Sequence, residues 1–327
     1  METNAGTALR ALIKRNKDTI IRFSCPVIVI VVFGVLTGGR LFSGYNIRAL
    51  IGQTAPLLIA GVGVIYMFSN GSIDISSGAV AGLCAMISAL ILNAAGSLAL
   101  AIMSSVIISA ALYLFGVVVS IKFRLLSTIA SLAIMFMARG VVAYVCSLTP
   151  GAIIRLDNFG MINRFRSDSG LQLAVISTTA LVCWILYSFT KIGKHAKAIG
   201  DNPASAEQSG AQVNKNKIIC ALISGVCVGI ASIFLLSRSG SVSQNIGSGM
   251  EMDIMVALIL GGMSLSGGSK SRFGAAVLGP ITLRLLSNGM TMSGVPTEYV
   301  SLIRGIIFLL IIFATLRQSK NIKEMPR

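Results

Sequence analysis

The residues that could do chemistry in this sequence are the few polar side chains that interrupt long apolar stretches. One such place, residues 70–78, holds Asp74, the only acidic residue between Asp18 and Asp157. Polar groups at membrane depth are costly, and they usually mark a substrate or ion pathway. An aspartate just before an apolar helix is also a good N-cap. Asp74 is therefore expected to cap the following helix, to line a transport path, or to do both.

The sequence contains no nucleotide-binding motif that would make the chain its own energy source. The nearest approach to a P-loop, residues 262–271, fails because the lysine must directly follow the second glycine, and Lys270 does not. Residues 265–268 imitate the signature tetrapeptide of ABC ATPases, but without a P-loop we interpret them as a glycine-lined turn where backbones pack closely. The chain is therefore not expected to be an enzyme or to bind nucleotide by this route.

Histidine and cysteine chemistry is not indicated either. The one histidine, His195, lies among lysines with no nucleophile or metal ligand near it in sequence. The six cysteines lie within or at the edges of apolar stretches, and none forms a CxxC pair. We therefore expect no catalytic residue, no metal site and no cofactor bound by this chain.

The elements that position these residues must be membrane spans. The chain of 327 residues is 54% hydrophobic and only 12% charged, whereas a soluble domain has roughly 25% charged residues. Apolar stretches of about twenty residues are long enough to cross a bilayer. They predict an all-α, polytopic integral membrane protein of about ten transmembrane helices, some of them short or broken. The predicted spans are 21–38, 50–68, 75–93, 98–120, 126–148, 171–189, 218–236, 252–268, 273–290 and 299–316.

The basic residues predict how the chain lies in the membrane. If the N-terminal tail is cytoplasmic, the loops on that side hold about three times as many Lys and Arg residues as the outer loops. This bias is typical of cytoplasmic loops, so it predicts a multi-pass membrane protein with cytoplasmic termini. The net charge of +16 then reflects topology, and no nucleic-acid partner is expected. Three arginines fall in or at the edges of spans: Arg139, Arg284 and Arg304.

A single membrane domain, residues 1–327, is predicted because no stretch between spans exceeds about thirty residues. It would have a cytoplasmic N-terminal tail at 1–20, an uncleaved first span and a cytoplasmic C-terminal tail at 317–327. Two loops are long: 149–170, expected outside, and 190–217, expected in the cytoplasm.

Three segments together resemble the permease subunits of ribose/galactose/autoinducer-2-type sugar ABC importers, a binding-protein-dependent transport family. Their order and spacing agree with that family from about residue 50 to about residue 315, which leaves the N-terminal tail and the loop 149–170 outside the match. The first segment, Ser72–Gly78, departs from the family pattern Gly-Gly-Ile-Asp-Leu-Ser-x-Gly because only one glycine, Gly71, precedes it. The segments are Ser72–Gly78, Gly193–Gly210, and Leu260–Gly268 with Gly274 and Gly279 following.

The resemblance implies ATP-driven import of a sugar or sugar-like small polar solute across the bacterial plasma (inner) membrane, with ATP and Mg²⁺ bound by a partner. It also implies a second permease subunit (in a homo- or heterodimer), two ATPase domains and an extracytoplasmic solute-binding protein. The loop 190–217 would carry a short coupling helix that docks into the ATPase. The residues agree, because Asn202 is a good cap while Ala204, Ala206 and Glu207 favour helix. The predicted coupling residues are Gly193, Gly200, Asn202, Ala206, Glu207 and Gly210.

The remaining candidates are polar residues within or beside spans. The predicted translocation path consists of Gln53, Asn70, Ser72, Asp74, Ser76 and Asn288. The predicted docking residues for a binding protein are Arg238, Gln244 and Glu251. Two alternatives stay open: an ABC permease for nucleosides or branched-chain amino acids, and an ion-coupled secondary transporter that uses Asp74 as its carboxylate.

Overall fold

Helices make up nearly all of the regular structure. The computed structural model describes residues 26–264, 267–296, 298–306, 309 and 313. Residues 298–306 are helical, and two short strands, β1 (Ile153–Arg155) and β2 (Ser241–Ser243), pair antiparallel. The helices in chain order are α1 (Pro26–Leu36), α2 (Gly44–Ser69), α3 (Ser77–Ala95), α4 (Leu98–Lys122), α5 (Ser127–Ser147), α6 (Gly160–Ser167), α7 (Ser169–Phe189), α8 (Lys191–Asp201), α9 (Pro203–Gln208), α10 (Val213–Ser239), α11 (Met250–Leu260) and α12 (Gly274–Met292).

Within the described part of the chain, six helices are long and apolar enough to cross a membrane: α2, α3, α4, α5, α7 and α10. Side chains cap several helix starts. The Ser43 hydroxyl accepts from a backbone N–H at the start of α2, Asp168 accepts from two at the start of α7, and Thr190 accepts from one at the start of α8. Such caps satisfy N–H groups that have no partner within the helix, so they fix where loop gives way to span.

Close packing of α10 against α2 and α4 forms the core. Gly63 of α2 lies directly against Cys227 of α10, and the Ser224 hydroxyl donates to the Gly63 carbonyl at 3.0 Å. On its other side, α10 presents Gly225 and Gly229 to the backbone of α4. Small residues let membrane helices approach this closely. As a result α2, α3 and α10 are mostly buried, whereas α4, α5 and α7 expose many apolar side chains, as helices facing lipid do.

The bundle has two distinguishable ends. The strand end carries β1, β2 and α6, and the short-helix end carries α8 and α9. Helices α7 and α10 each run from one end to the other. Near the C-terminus of α3, the Asn93 side chain donates to the Arg155 carbonyl in β1 at 2.8 Å, so α3 ends at the strand end.

Three findings correct or limit the predicted architecture. The predicted span 252–268 is helical only to Leu260, because Gly261 and Gly262 follow and Gly262 has a φ of +90°, a left-handed backbone that favours glycine. The all-α prediction misses the β1–β2 pair. The polytopic helical fold is confirmed, but the count of ten spans and the cytoplasmic termini stay predictions; the tails 1–20 and 317–327 lie outside the described residues.

Candidate functional site

Three loops that are far apart in sequence meet at the short-helix end. We call their contact region the junction, and it consists of 69–71, 200–201 and 267–269. The Gly268 N–H donates to the Ser69 carbonyl at 3.0 Å. Both carboxylate oxygens of Asp201 accept from the Ser269 N–H at 3.0 Å, and one also accepts from the Ser269 hydroxyl at 3.2 Å. The junction therefore ties the ends of α2 and α8 to the chain between α11 and α12.

Two glycines make this close approach possible. A Cβ at Gly200 would overlap the Ser69 carbonyl and the backbone of Gly268. Gly267 has a φ of +70°, and a Cβ there would overlap the Phe68 carbonyl. Only glycine fits both the spacing and the left-handed backbone. The glycine-lined turn predicted from the sequence is therefore found, and its partner is the end of α2.

A short helix, α9, lies within the predicted loop 190–217. The Asn202 side chain accepts from two backbone N–H groups of α9, at 3.0 and 3.3 Å. Ala206 is buried with Ile199 of α8. Glu207 is exposed, and Gly210, with a φ of +87°, lies in open space just beyond the helix. α9 thus packs one side on α8 and leaves the side that carries Glu207 free.

The start of α8 is held against α7 and α2. Gly193 lies so close to the Tyr187 carbonyl that a Cβ would overlap it. The Tyr187 hydroxyl is 2.6 Å from the Ser69 hydroxyl, and the Lys197 ammonium lies 4.6 Å from the centre of the Tyr187 ring. Burial lowers the pKa of Lys197, and the nearby Arg272 adds to this effect. Helices α8 and α9 are therefore fixed to the bundle and do not hang from it as a loose loop.

Asp74 lies in the non-helical segment between α2 and α3 and is buried. Its Oδ1 accepts from the Ser76 N–H at 2.8 Å and from the Ser76 hydroxyl at 2.6 Å. Its Oδ2 accepts from the Tyr113 hydroxyl on α4 at 2.6 Å. The prediction that Asp74 caps α3 is wrong, because the N-cap is Ser76. The carboxylate instead holds the turn before the helix and joins it to α4.

The neighbouring polar residues form a second set of hydrogen bonds beside that of Asp74, and we call the two sets together the Asp74 network. The Asn70 Oδ1 accepts from the Ser72 N–H at 3.1 Å, and the Ser127 hydroxyl on α5 lies 3.1 Å from that of Ser72. The free space beside Asp74 and Ser76 has a volume of only about 20 Å³, room for about one water molecule. Four of the six predicted path residues therefore lie together here in a closed arrangement.

Replacing Tyr113 with phenylalanine is expected to destabilise the protein by about 1–3 kcal/mol, because a buried carboxylate oxygen loses its donor. The measurement is the free energy of unfolding of the detergent-solubilised chain. Tyr144→Phe is the matched control, since Tyr144 is 67% exposed. Equal stability of the two variants would contradict a structural role for the Asp74 network.

The other two predicted path residues lie toward the strand end. Gln53 lines a cavity of about 490 Å³ between α2, α7 and α10, and Arg238 lines the same cavity. The Asn288 side chain on α12 donates to that of Asn46 near the start of α2, at 3.0 Å. Gln244, which follows β2, is exposed at this end. The structure therefore separates the predicted path residues into one group at each end of the bundle.

Ion pairs at the start of α11 are the feature that sequence reasoning missed. Glu251 pairs with Arg139 of α5 at 2.6 Å. Asp253 pairs with Arg304 at 2.6 Å and with Arg284 of α12 at 3.3 Å. The sequence did offer a signal, because a charged side chain at membrane depth needs a partner of opposite charge. Because Glu251 is buried and bound to Arg139, its carboxylate is not presented for docking a binding protein.

No metal centre is found within the residues that the structure describes, where no three His, Cys, Asp or Glu residues are grouped to hold an ion. The five cysteines in that part of the chain are buried and unbridged. They contribute to packing, as in the contact between Cys227 and Gly63.

The fold and the site define a polytopic helical permease, with mostly buried polar residues and a capped short helix exposed at one end. The family described as "Branched-chain amino acid transport system / permease component" matches residues 46–312. The chain belongs to this family. No solved structure gives a significant match.

The curated relatives are permease subunits of import systems. The ribose import permease protein RbsC of Escherichia coli (strain K12) is 28% identical over 83% of this chain and 85% of the relative. The autoinducer 2 import system permease protein LsrC of Photorhabdus laumondii is 26% identical over 92% of this chain and 90% of the relative. The fructose import permease protein FruG of Bifidobacterium longum is 26% identical over 87% and 88%. The chain is thus an ABC-importer permease of the bacterial inner membrane.

Proposed function

We propose that this chain forms the translocation path for a sugar or sugar-like small polar solute that is delivered from outside the cell. The names of its relatives support a sugar-type cargo, since they include permeases for ribose, fructose and autoinducer 2. The strongest structural support is the junction, because it joins the end of α8, which the exposed helix α9 follows directly, to the end of α2. Movement imposed on α9 from outside the chain would therefore reach the most buried helix of the bundle.

Energy is expected to come from a partner ATPase that binds at the short-helix end. The sequence has no P-loop, so ATP and Mg²⁺ would be bound by that partner. At the short-helix end, α9 presents a free polar side, with Glu207 exposed and Asn202 fixing its start. We propose that α9 is the coupling helix and that α8 transmits its displacement to the junction through Gly200 and Asp201.

The complete transporter would contain a second permease subunit, two ATPase domains and an external solute-binding protein. The strand end would face outward and receive the binding protein. Of the three residues predicted to dock it, Arg238 and Gln244 are exposed there, whereas Glu251 is bound to Arg139. We therefore propose Arg238 and Gln244 as docking residues.

The path would run from the cavity that contains Gln53 toward the Asp74 network. With only about 20 Å³ of free space beside Asp74, the network would act as a closed inner gate. Asp74 lies in the non-helical segment that follows Gly71 of the junction. Displacement of the junction would therefore move this segment and open the network.

Branched-chain amino acids remain a second candidate cargo, because the matching family is described by that transport system. An ion-coupled mechanism is disfavoured by the geometry of Asp74. Both of its oxygens are engaged, one by Ser76 and one by Tyr113, which leaves little capacity for a transported cation.

Co-purification tests the proposed partnership. The tagged chain is expected to retain an importer-type ATPase of the same bacterium when the two are co-expressed and extracted in mild detergent. A variant in which residues 203–208 are replaced by a Gly-Ser linker of equal length is expected to lose that ATPase while its melting temperature stays within a few degrees of wild type. Retention of the ATPase by this variant would contradict α9 as the docking helix.

A further inference from the structure

The cavity of about 490 Å³ at the strand end has a lining with a specific chemical character. It lies between the first part of α2, the start of α7 and the last turns of α10. Ligand sites typically have volumes of roughly 300–1,000 Å³, so the cavity is large enough for a monosaccharide-sized molecule. Which molecule the cavity can bind therefore depends on the chemical groups that line it.

Three arginines line this cavity, Arg48, Arg166 and Arg238, and its lining contains no acidic residue. None of the three forms an ion pair with an acid in the described part of the chain. Asp168 is next in sequence to the lining, but its Oδ1 is occupied in capping α7. Asp253 is occupied by two other arginines. The cavity therefore carries positive charge that no acidic side chain of its lining offsets, although all three arginines are also exposed to solvent.

One wall also offers a fixed hydrogen-bond acceptor. Gln172 is 1% exposed, and its Nε2 donates to the carbonyls of Phe165 and Arg166 at 2.8 and 2.9 Å. These two bonds fix the amide, and its Oε1 is buried without a hydrogen-bond partner. A buried acceptor without a partner costs free energy, which a ligand hydroxyl group would recover once the lining moves enough to expose this oxygen. Gln53 on the facing helix adds a second amide to the lining.

We propose that this cavity binds a polyhydroxylated anion, meaning a sugar acid or a sugar phosphate, on its way into the translocation path. The inference rests on the proposed function and narrows its cargo. Arginine guanidinium groups bind carboxylate and phosphate oxygens with paired hydrogen bonds, and the Gln172 and Gln53 amides would receive the hydroxyl groups. Neutral sugars would leave three arginines without counter-charge, so they would bind more weakly.

The test is ligand binding by the purified full-length chain in phosphatidylcholine nanodiscs, measured by calorimetry at fixed ionic strength. The probes are gluconate, ribose 5-phosphate and ribose. We expect at least one of the two anions to bind at least ten-fold more tightly than ribose. Arg48→Gln and Arg238→Gln are each expected to weaken that binding at least five-fold. Arg164→Gln is the matched control, because Arg164 is exposed at the same end of the bundle but does not line the cavity.

Equal affinity for ribose and the anions, or no anion binding by a chain with native melting behaviour, would overturn the inference. Equal weakening by Arg164→Gln would overturn it too, because the effect would then come from general surface charge. Discs that contain phosphatidylglycerol separate a lipid headgroup from a soluble ligand. If that lipid binds in an Arg48- and Arg238-dependent way while neither soluble anion binds, the site is a lipid site. Failure of these tests with the ATPase still co-purifying refutes the anionic cargo alone.

Discussion

Replacing Glu207 with arginine is expected to uncouple ATP hydrolysis from transport. Glu207 is the only acidic residue of α9 and is exposed, whereas the helices beside it carry Lys191, Lys194, Lys215 and Lys217. Reversing its charge would remove the acidic group of α9 from a surface that is otherwise rich in lysine, where the ATPase is proposed to bind. Breaking a charge pair that is buried and hydrogen-bonded at an interface costs about 2–5 kcal/mol. If the ATPase buries Glu207 in such a pair, we expect transport per ATP hydrolysed to fall at least ten-fold, because α9 would no longer follow the movement of the ATPase. The measurement is uptake and hydrolysis in the same proteoliposomes.

Two further variants make the Glu207 result specific. Glu207→Gln keeps the shape and removes only the charge, so its effect is expected to be smaller than that of the arginine variant. Gln208→Arg adds the same charge at the neighbouring exposed position. Wild-type coupling in Glu207→Arg, or equal uncoupling by Gln208→Arg, would count against a specific contact of Glu207 with the ATPase.

Replacing Gly200 with alanine is expected to disrupt the junction. The added Cβ would overlap the Ser69 carbonyl and the Gly268 backbone, and these are backbone atoms that cannot move aside as a side-chain end could. Overpacking of this kind usually costs about 1–3 kcal/mol. We expect a lower free energy of unfolding. We also expect the transport rate per folded molecule to fall, because α8 would no longer pack against α2.

Gly140→Ala is the matched control for Gly200→Ala. Both glycines are helical, but Gly140 has no heavy atom within 4 Å of an added Cβ, so alanine there is expected to be neutral or slightly stabilising through helix propensity. Unfolding curves in detergent compare the two variants. If Gly200→Ala matched Gly140→Ala in both stability and transport, the junction would not require close backbone contact.

Sequence patterns predicted the local features of this protein well. Asn202 was recognisable as a cap and α9 follows it, since capping depends only on residues a few positions apart. The glycines of residues 262–268 were interpreted as a turn with close backbone packing, which is also a local pattern. Gly267 lies in such a turn. Apolar stretches likewise predicted a polytopic fold, because a membrane span needs about twenty consecutive apolar residues and such stretches can be read directly from the sequence.

Contacts between distant segments could not be predicted in this way. The pairing of Arg139 with Glu251 joins residues 112 positions apart, and no local pattern encodes it. The sequence predicted that Asp74 caps the following helix, lines a transport path, or does both, but it gave no sign that Tyr113 of α4 supplies a donor to its carboxylate. The junction itself became recognisable only when three separate loops were brought together by the fold.

ATP-dependent uptake is the most direct test of the central claim, that this chain is a permease driven by a partner ATPase docked at α9. The purified chain is reconstituted into liposomes alone, with its ATPase, and with both the ATPase and a solute-binding protein. Accumulation of radiolabelled solute is then measured with ATP and, separately, with imposed proton or sodium gradients. We predict accumulation only with the complete set of partners and ATP. Accumulation by the chain alone under a proton or sodium gradient would contradict the claim.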